Sequence, residues 1–280
     1  MIIRAGYSIH FELAQATPLL LMLHIRPERR LDLITPEALT LSPDVPVRTY
    51  LDRFGNICSR LTAPAGVLAL QNEFLIYDSG EPEQLPVEAP QHPIEELPDD
   101  VLQYLMGSRY CDTQRLLDIA WDLFGTIEPG WPRLEAILNY THQRISFGYG
   151  HARDDRTASD AYVERVGVCR DFAHLAITLC RCMNIPARYC TGYLGDIGVP
   201  KDPAPMDFSA WFEVYLDGRW HTLDARHNRP RIGRILMGQG LDATDTAISV
   251  AFGKAKLVRF EVTTEEETEA DERLRPAATG

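Results

Sequence analysis

A cysteine, a serine and an aspartate stand at positions where this chain could carry out chemistry on a carbonyl carbon. Cys169 follows the glycine-containing turn Arg165-Val166-Gly167-Val168 and begins an apolar segment that predicts a helix. The positive end of a helix dipole favours the thiolate, the form of cysteine that attacks a carbonyl carbon. Such a nucleophile works with a base, and the base needs an orienting group. The chemistry of Cys169 therefore depends on what the fold places beside it.

A β-hairpin is predicted to supply these partners. The sequence predicts strands over residues 208–216 and 219–224, and Asp217-Gly218 between them is typical of a two-residue turn. Two strands joined in this way are antiparallel, so each residue of the first faces a definite residue of the second.

The register of this hairpin predicts which side chains meet. If Leu216 pairs with Arg219, Trp211 faces Asp224. Because side chains alternate with a period of two, Ser209 and Asp224 become diagonal neighbours on one side of the hairpin. Asp224 is the expected orienting group, and serine occupies position 209, where a catalytic imidazole would stand.

The motifs of this region resemble those of the transglutaminase-like superfamily, in particular its bacterial branch of transglutaminase-like cysteine proteases with an N-terminal β domain. The matching segments, in chain order, are 108–112, 167–175, 184–189, 210–215 and 223–224. The resemblance implies a papain-like α+β fold, in which a helix bearing the cysteine packs on an antiparallel sheet, preceded by a small all-β domain. It also implies that Cys169 is the nucleophile, that Asp224 is the third triad member, and that Ser209 replaces the histidine.

The implied activity is acyl transfer through a thioester, with protein or peptide amides as substrates. The acyl group would pass to an amine, or to water as in an amidase or a cysteine protease, without a cofactor or a metal ion. Since a serine hydroxyl does not take up a proton near neutral pH, Ser209 is expected to impair turnover. The alternative is a non-catalytic peptide- or protein-binding module of the same fold, a pseudoenzyme, so the sequence leaves open whether the chain is an enzyme.

Other histidines could replace the missing imidazole, and the sequence leaves the choice open among His142, His151 and His227. His227 follows Asp224 on a segment that could fold back. His174 lies five residues beyond Cys169, about 140° round a helix, so it is expected to point away. His221 is expected on the opposite side of the hairpin from Asp224.

The elements that must position these residues can be predicted from periodicity. The helix over 169–183 is apolar nearly all round, which is typical of a buried helix, and Asn184-Ile185-Pro186 ends it before a strand over 187–193. Cys180 and Cys182 on this helix are expected to be buried thiols instead of metal ligands. Further helices are predicted over 99–106, 112–126 and 131–143.

Composition divides the chain into four predicted parts: an N-terminal β-rich domain (1–79), an acidic, proline-rich extended linker (80–100), a transglutaminase-like domain (101–263) and an acidic, disordered tail (264–280). The strands predicted in the first part cover residues 2–13, 19–25, 47–51, 57–61, 66–71 and 74–77.

Charge and hydropathy exclude some classes of function. The net charge is −12, and most of it falls in the linker and the tail, so the chain lacks the basic face that nucleic-acid binding needs. No run approaches the roughly 18 apolar residues of a membrane span, and the N-terminus lacks a signal-peptide pattern. The expected location is the cytoplasm, with the six cysteines reduced. The expected partner is a protein or peptide substrate, and the oligomeric state stays open.

Overall fold

The computed structural model describes residues 1–267, and its architecture is α+β. The helices are α1 (Asp99–Leu102), α2 (Thr113–Phe124), α3 (Trp131–Arg144), α4 (Ala158–Glu164) and α5 (Cys169–Cys182). The strands are β1 (Ile2–Leu13), β2 (Thr17–Leu21), β3 (Thr40–Ser42), β4 (Arg48–Leu51), β5 (Ile57–Ala63), β6 (Gly66–Tyr77), β7 (Ser146–Phe147), β8 (Val166–Gly167), β9 (Ala187–Leu194), β10 (Ser209–Leu216), β11 (Arg219–Leu223), β12 (Arg234–Gly240), β13 (Ser249–Ala251) and β14 (Ala255–Glu266). Within residues 1–267, no helix is long and apolar enough to cross a membrane.

A central antiparallel sheet and the cysteine-bearing helix form the α/β half of the fold. The sheet has the strand order β11-β10-β9-β12, and α5 packs on β10 and β9. Every residue of α5 from Asp171 to Cys182 is buried, as the apolar periodicity predicts. Cys180 and Cys182 are free, buried thiols, in agreement with their predicted role in the core.

The N-terminal half consists of two four-stranded sheets, β14-β1-β6-β3 and β13-β2-β5-β4. The segments 66–71 and 74–77, predicted as two strands, form the single strand β6. The core of this half is completed by side chains of the central sheet, including Tyr193, Ile235 and Met237. The two halves therefore share a hydrophobic core, which fixes the central sheet against the β-rich half.

The C-terminal part of the chain returns to the N-terminal sheets. β13 pairs with β2, and β14 pairs with β1 along its length, as far as the partners Ile3 and Glu266. The predicted boundary at residue 263 is therefore wrong, because 264–266 belong to a strand. Because β14 is an edge strand, its exposed side carries charged residues, and these gave residues 264–266 the acidic composition that predicted a tail. Residues 268–280 of the predicted tail lie outside the described residues.

The predicted linker runs along the α/β half. Its first helix, α1, begins at Asp99, as the Pro98-Asp99-Asp100 sequence predicts. The carbonyl of Ala89 accepts a hydrogen bond from the Trp131 N–H at 3.1 Å, and Gln91 donates to the carbonyl of Met183 at 2.9 Å. These contacts hold the segment against α3 and the end of α5.

We predict that Gly192→Ala will destabilise the central sheet. Gly192 pairs with Ser209, and a Cβ atom at position 192 would lie 2.1 Å from the carbonyl oxygen of Ile235 on β12. The strands must separate to admit it, so the free energy of unfolding should fall by about 1–3 kcal/mol. Denaturant titration measures this change. Gly150→Ala, with nothing within 4 Å of the added atom, is the control, and equal losses in both variants would contradict the prediction.

Candidate active site

The turn in front of α5 is fixed by a buried carboxylate. Asp171 Oδ2 accepts hydrogen bonds from the Val168 N–H at 2.8 Å and from Arg156 Nη1 at 3.0 Å. A Cβ atom on Gly167 would lie 2.6 Å from Cβ of Asp171, so this carboxylate can approach the turn only because residue 167 has no side chain. The arrangement sets the position of Cys169 as the first residue of the helix.

Cys169 lies where two cavities adjoin. The large cleft has a volume of about 650 Å³ and extends from Tyr110 to Phe260, between the α/β half and the returning C-terminal strands. The small cavity has a volume of about 150 Å³ and is closed by the loops after β9 and β11. Cys169 and Ser209 line both of them. A substrate in the large cleft would therefore contact the thiol from one side, and the groups that line the small cavity would lie on the other side of the thiol.

The surroundings of the Cys169 thiol oppose its ionisation. Burial raises the pKa of Cys169 to about 11, and the negative charges of Asp207 and Asp224 act in the same direction. Arg226 and a hydrogen bond from the main chain of Ala210 lower the pKa but do not offset burial. The helix start alone does not produce the thiolate that the sequence suggested, because burial outweighs the dipole. Attack by this thiol requires a base.

The hairpin has the predicted register. Leu216 pairs with Arg219, and the ladder continues to the last pair, Phe212 with Leu223, so Trp211 and Asp224 come next. The guanidinium of Arg234 lies 4.8 Å from the ring centroid of Trp211.

The same guanidinium places Asp224 on the side of the hairpin that carries Ser209. Arg234 Nη2 donates a hydrogen bond to Asp224 Oδ2 at 2.7 Å. Since Trp211 is two residues from Ser209 on one strand, the side chains of Ser209, Trp211 and Asp224 share a side.

Asp224 holds an imidazole, and that imidazole comes from the loop after β11. His227 Nδ1 lies 2.8 Å from Asp224 Oδ2. Asp224 Oδ1 accepts hydrogen bonds from the main-chain N–H groups of Arg226 at 2.9 Å and of His227 at 3.0 Å. Asp224 thus closes a turn that brings His227 back to the Asp224 carboxylate. The His227 side chain lines the small cavity together with Cys169.

The Asp224 carboxylate is ionised although its side chain is only 1% exposed. Burial alone would raise the pKa of Asp224. The charge of Arg234 and the hydrogen bond from His227 outweigh burial and hold the pKa well below its ordinary value. Asp224 can therefore stabilise a cationic imidazole beside it.

Ser209 does not bond to Asp224. Its side chain is buried, and its hydroxyl makes no hydrogen bond within residues 1–267. The partners of Asp224 are His227, Arg234 and two main-chain N–H groups. Position 209 thus lines the site without joining its hydrogen-bond network.

The remaining histidines lie elsewhere. His221 pairs with Val214 and is close to the carbonyl of Leu216, on the opposite side of the hairpin, as predicted. His174 is buried against Tyr110 and accepts a hydrogen bond from the main chain of Ala243. His142 Nδ1 lies 3.2 Å from the Ala225 carbonyl, and His151 lines neither cavity.

Comparison with known proteins supports the resemblance. Residues 120–225 match the family model described as the transglutaminase-like superfamily. A crystal structure from Cytophaga hutchinsonii, of a protein named "Putative Cysteine Protease", has a TM-score of 0.81 and 28% identity over 95% of this chain and 90% of that chain. The uncharacterized protein ML0607 of Mycobacterium leprae (strain TN) is 35% identical over 118 residues, 40% of this chain and 41% of that protein. The chain spans about two fifths of the length of this curated relative.

We predict that alkylation of Cys169 by iodoacetamide will become faster as the pH rises from 7 to 10. A thiol with a pKa of about 11 gains thiolate throughout this interval, roughly tenfold for each pH unit. Peptide mass mapping separates Cys169 from the buried cysteines. Fast labelling that stays constant down to pH 5 would contradict the prediction, because it would require a resting thiolate.

Proposed function

Because the chain belongs to the transglutaminase-like superfamily, we propose that it is a thiol acyltransferase or amide hydrolase that acts on protein or peptide amides through a thioester at Cys169. The observation that carries the proposal is the position of Cys169, at the start of a buried helix and on the wall of a cleft of about 650 Å³. This volume lies within the usual range of ligand sites.

The reaction divides amide cleavage into two steps. Cys169 Sγ attacks the carbonyl carbon, the carbonyl oxygen becomes an oxyanion, and the amine leaves when the C–N bond breaks. The N–H group of Cys169 is a donor for the oxyanion, since the first N–H groups of a helix have no acceptor within the helix. An amine or water then attacks the thioester and releases Cys169. No cofactor takes part in this sequence.

The lining of the large cleft supports an extended acyl donor. Arg109, Arg153 and Arg170 line the cleft, and so do the apolar residues Val250 and Phe260. Guanidinium groups bind carboxylates and amide carbonyls, while the apolar side chains pack against hydrocarbon. A peptide segment offers both kinds of group.

A second candidate function is a non-catalytic module that binds a peptide in the same cleft. Two observations favour it: serine stands at position 209, and burial raises the pKa of the Cys169 thiol to about 11. Such a module would bind its partner without forming a thioester.

We predict that the wild-type protein processes amides and that Cys169→Ala does not. Suitable assays at pH 8–9 are the incorporation of monodansylcadaverine into dimethylcasein, ammonia release from glutamine peptides, and the cleavage of fluorescent casein. Loss of the nucleophile should reduce the rate to background, a decrease of about a thousandfold or more.

The activity assays must be accompanied by a binding measurement. Cys169→Ala removes one atom from the cleft wall, so its affinity for casein peptides should remain near that of the wild type. Binding by both proteins with no covalent intermediate and no product in the wild type would contradict the enzyme and support the binding module.

A further inference from the structure

We propose that His227 is the general base and general acid of this site, so that the imidazole comes from the loop after β11 and not from position 209. The inference rests on the proposed function, because it assigns a residue to the same reaction. It concerns only which side chain moves the proton.

The hydrogen bonds of His227 select the tautomer that a base needs. Asp224 is ionised and can only accept, so the proton between them belongs to Nδ1, which donates to Oδ2 at 2.8 Å. Nε2 then carries a lone pair and can accept a proton from a thiol. A carboxylate that orients Nδ1–H and leaves Nε2 free is the arrangement found in nucleophile–histidine–aspartate triads.

His227 lies on the wall of the cavity that also holds the nucleophile. Its side chain is 18% exposed and lines the small cavity with Cys169 and Ser209. Ser209 lines the same cavity, and its hydroxyl oxygen is buried. Positions 209 and 227 therefore border one cavity.

Charged groups of both signs surround the proposed proton transfer. The ionisable residues that line the small cavity with His227 are Tyr149, Asp196, Asp202, Asp207, Arg226 and Arg231. Arg234 donates to the same oxygen of Asp224 that His227 contacts. Arg226 favours the thiolate, since its charge lowers the pKa of Cys169.

His227 carries one proton in each step of the proposed reaction. The Cys169 S–H proton moves to His227 Nε2 while the Sγ–C bond forms and the carbonyl π electrons move to oxygen. The oxyanion then reforms the carbonyl as the C–N bond breaks, and Nε2–H gives its proton to the departing amine. In the second step Nε2 takes a proton from water or from an acceptor amine while the oxygen or nitrogen of that molecule bonds to the carbonyl carbon, and the Sγ–C bond then breaks. The thiolate recovers the proton, and His227 returns to its starting state.

The test uses acetylation of the full-length protein by 4-nitrophenyl acetate, which requires no knowledge of the natural substrate. Release of nitrophenolate gives the rate, and mass spectrometry locates the acetyl group on Cys169. His227→Gln should lower the rate at pH 7 by about a hundredfold or more, because an amide side chain does not take up a proton. The deficit should become smaller towards pH 11, where the thiol ionises without help.

Two rescues separate proton transfer from a structural role. Added imidazole should accelerate the acetylation of His227→Ala. Ser209→His in the His227→Gln background should raise the rate at least tenfold above that of His227→Gln alone. His92→Gln is the matched control, because His92 pairs with Glu96 and lines neither cavity. Circular dichroism and alkylation of Cys169 at pH 10 verify that each variant is folded.

The outcomes distinguish this inference from the proposed function. If His227→Gln keeps the wild-type rate and pH profile while Cys169→Ala is not acetylated, Cys169 is the nucleophile and His227 is not its base. A loss that is equal at every pH and that neither rescue restores would assign His227 a structural role and would also overturn the inference. Failure of wild-type Cys169 to become acetylated at any pH would overturn the proposed function itself.

Discussion

The site depends on one buried carboxylate. Asp224 is held between the guanidinium of Arg234 and the imidazole of His227, and Arg234 also pairs with Glu83 of the linker and covers the ring of Trp211. Removing one partner of such a buried pair typically costs about 3–5 kcal/mol, since the other charge is left without compensation. The carboxylate therefore joins the hairpin, β12 and the linker, and its ionised state depends on all three.

In the proposed reaction, this constraint allows a thiol with a raised pKa to act as a nucleophile. Burial raises the pKa of Cys169 to about 11, so the proposed chemistry depends on a base that acts during the reaction and not on a thiolate present beforehand. Asp224 supplies the negative charge that an imidazolium needs. His227, in the small cavity, is the group that Asp224 orients.

Periodicity was sufficient to predict the framework of the site from the sequence. The α5 helix, the hairpin register and the shared side of Ser209 and Asp224 follow from apolar spacing and a two-residue turn. The partner of Asp224 could not be predicted in this way, because it depends on main-chain hydrogen bonds to the carboxylate from residues two and three positions later. An aspartate three residues before a histidine at a strand end was the available signal. The β14 strand was missed because its exposed side is charged, and α4 because it is short and depends on a Thr157 cap.

The most direct test of the account is a double-mutant cycle between Asp224 and His227, measured on the rate of Cys169 acetylation at pH 7. If the two residues act as one unit, Asp224→Asn and His227→Gln should each slow the reaction, and the double variant should be no slower than the slower single variant. Effects that multiply in the double variant would contradict the account, because they would show that Asp224 and His227 act on Cys169 independently.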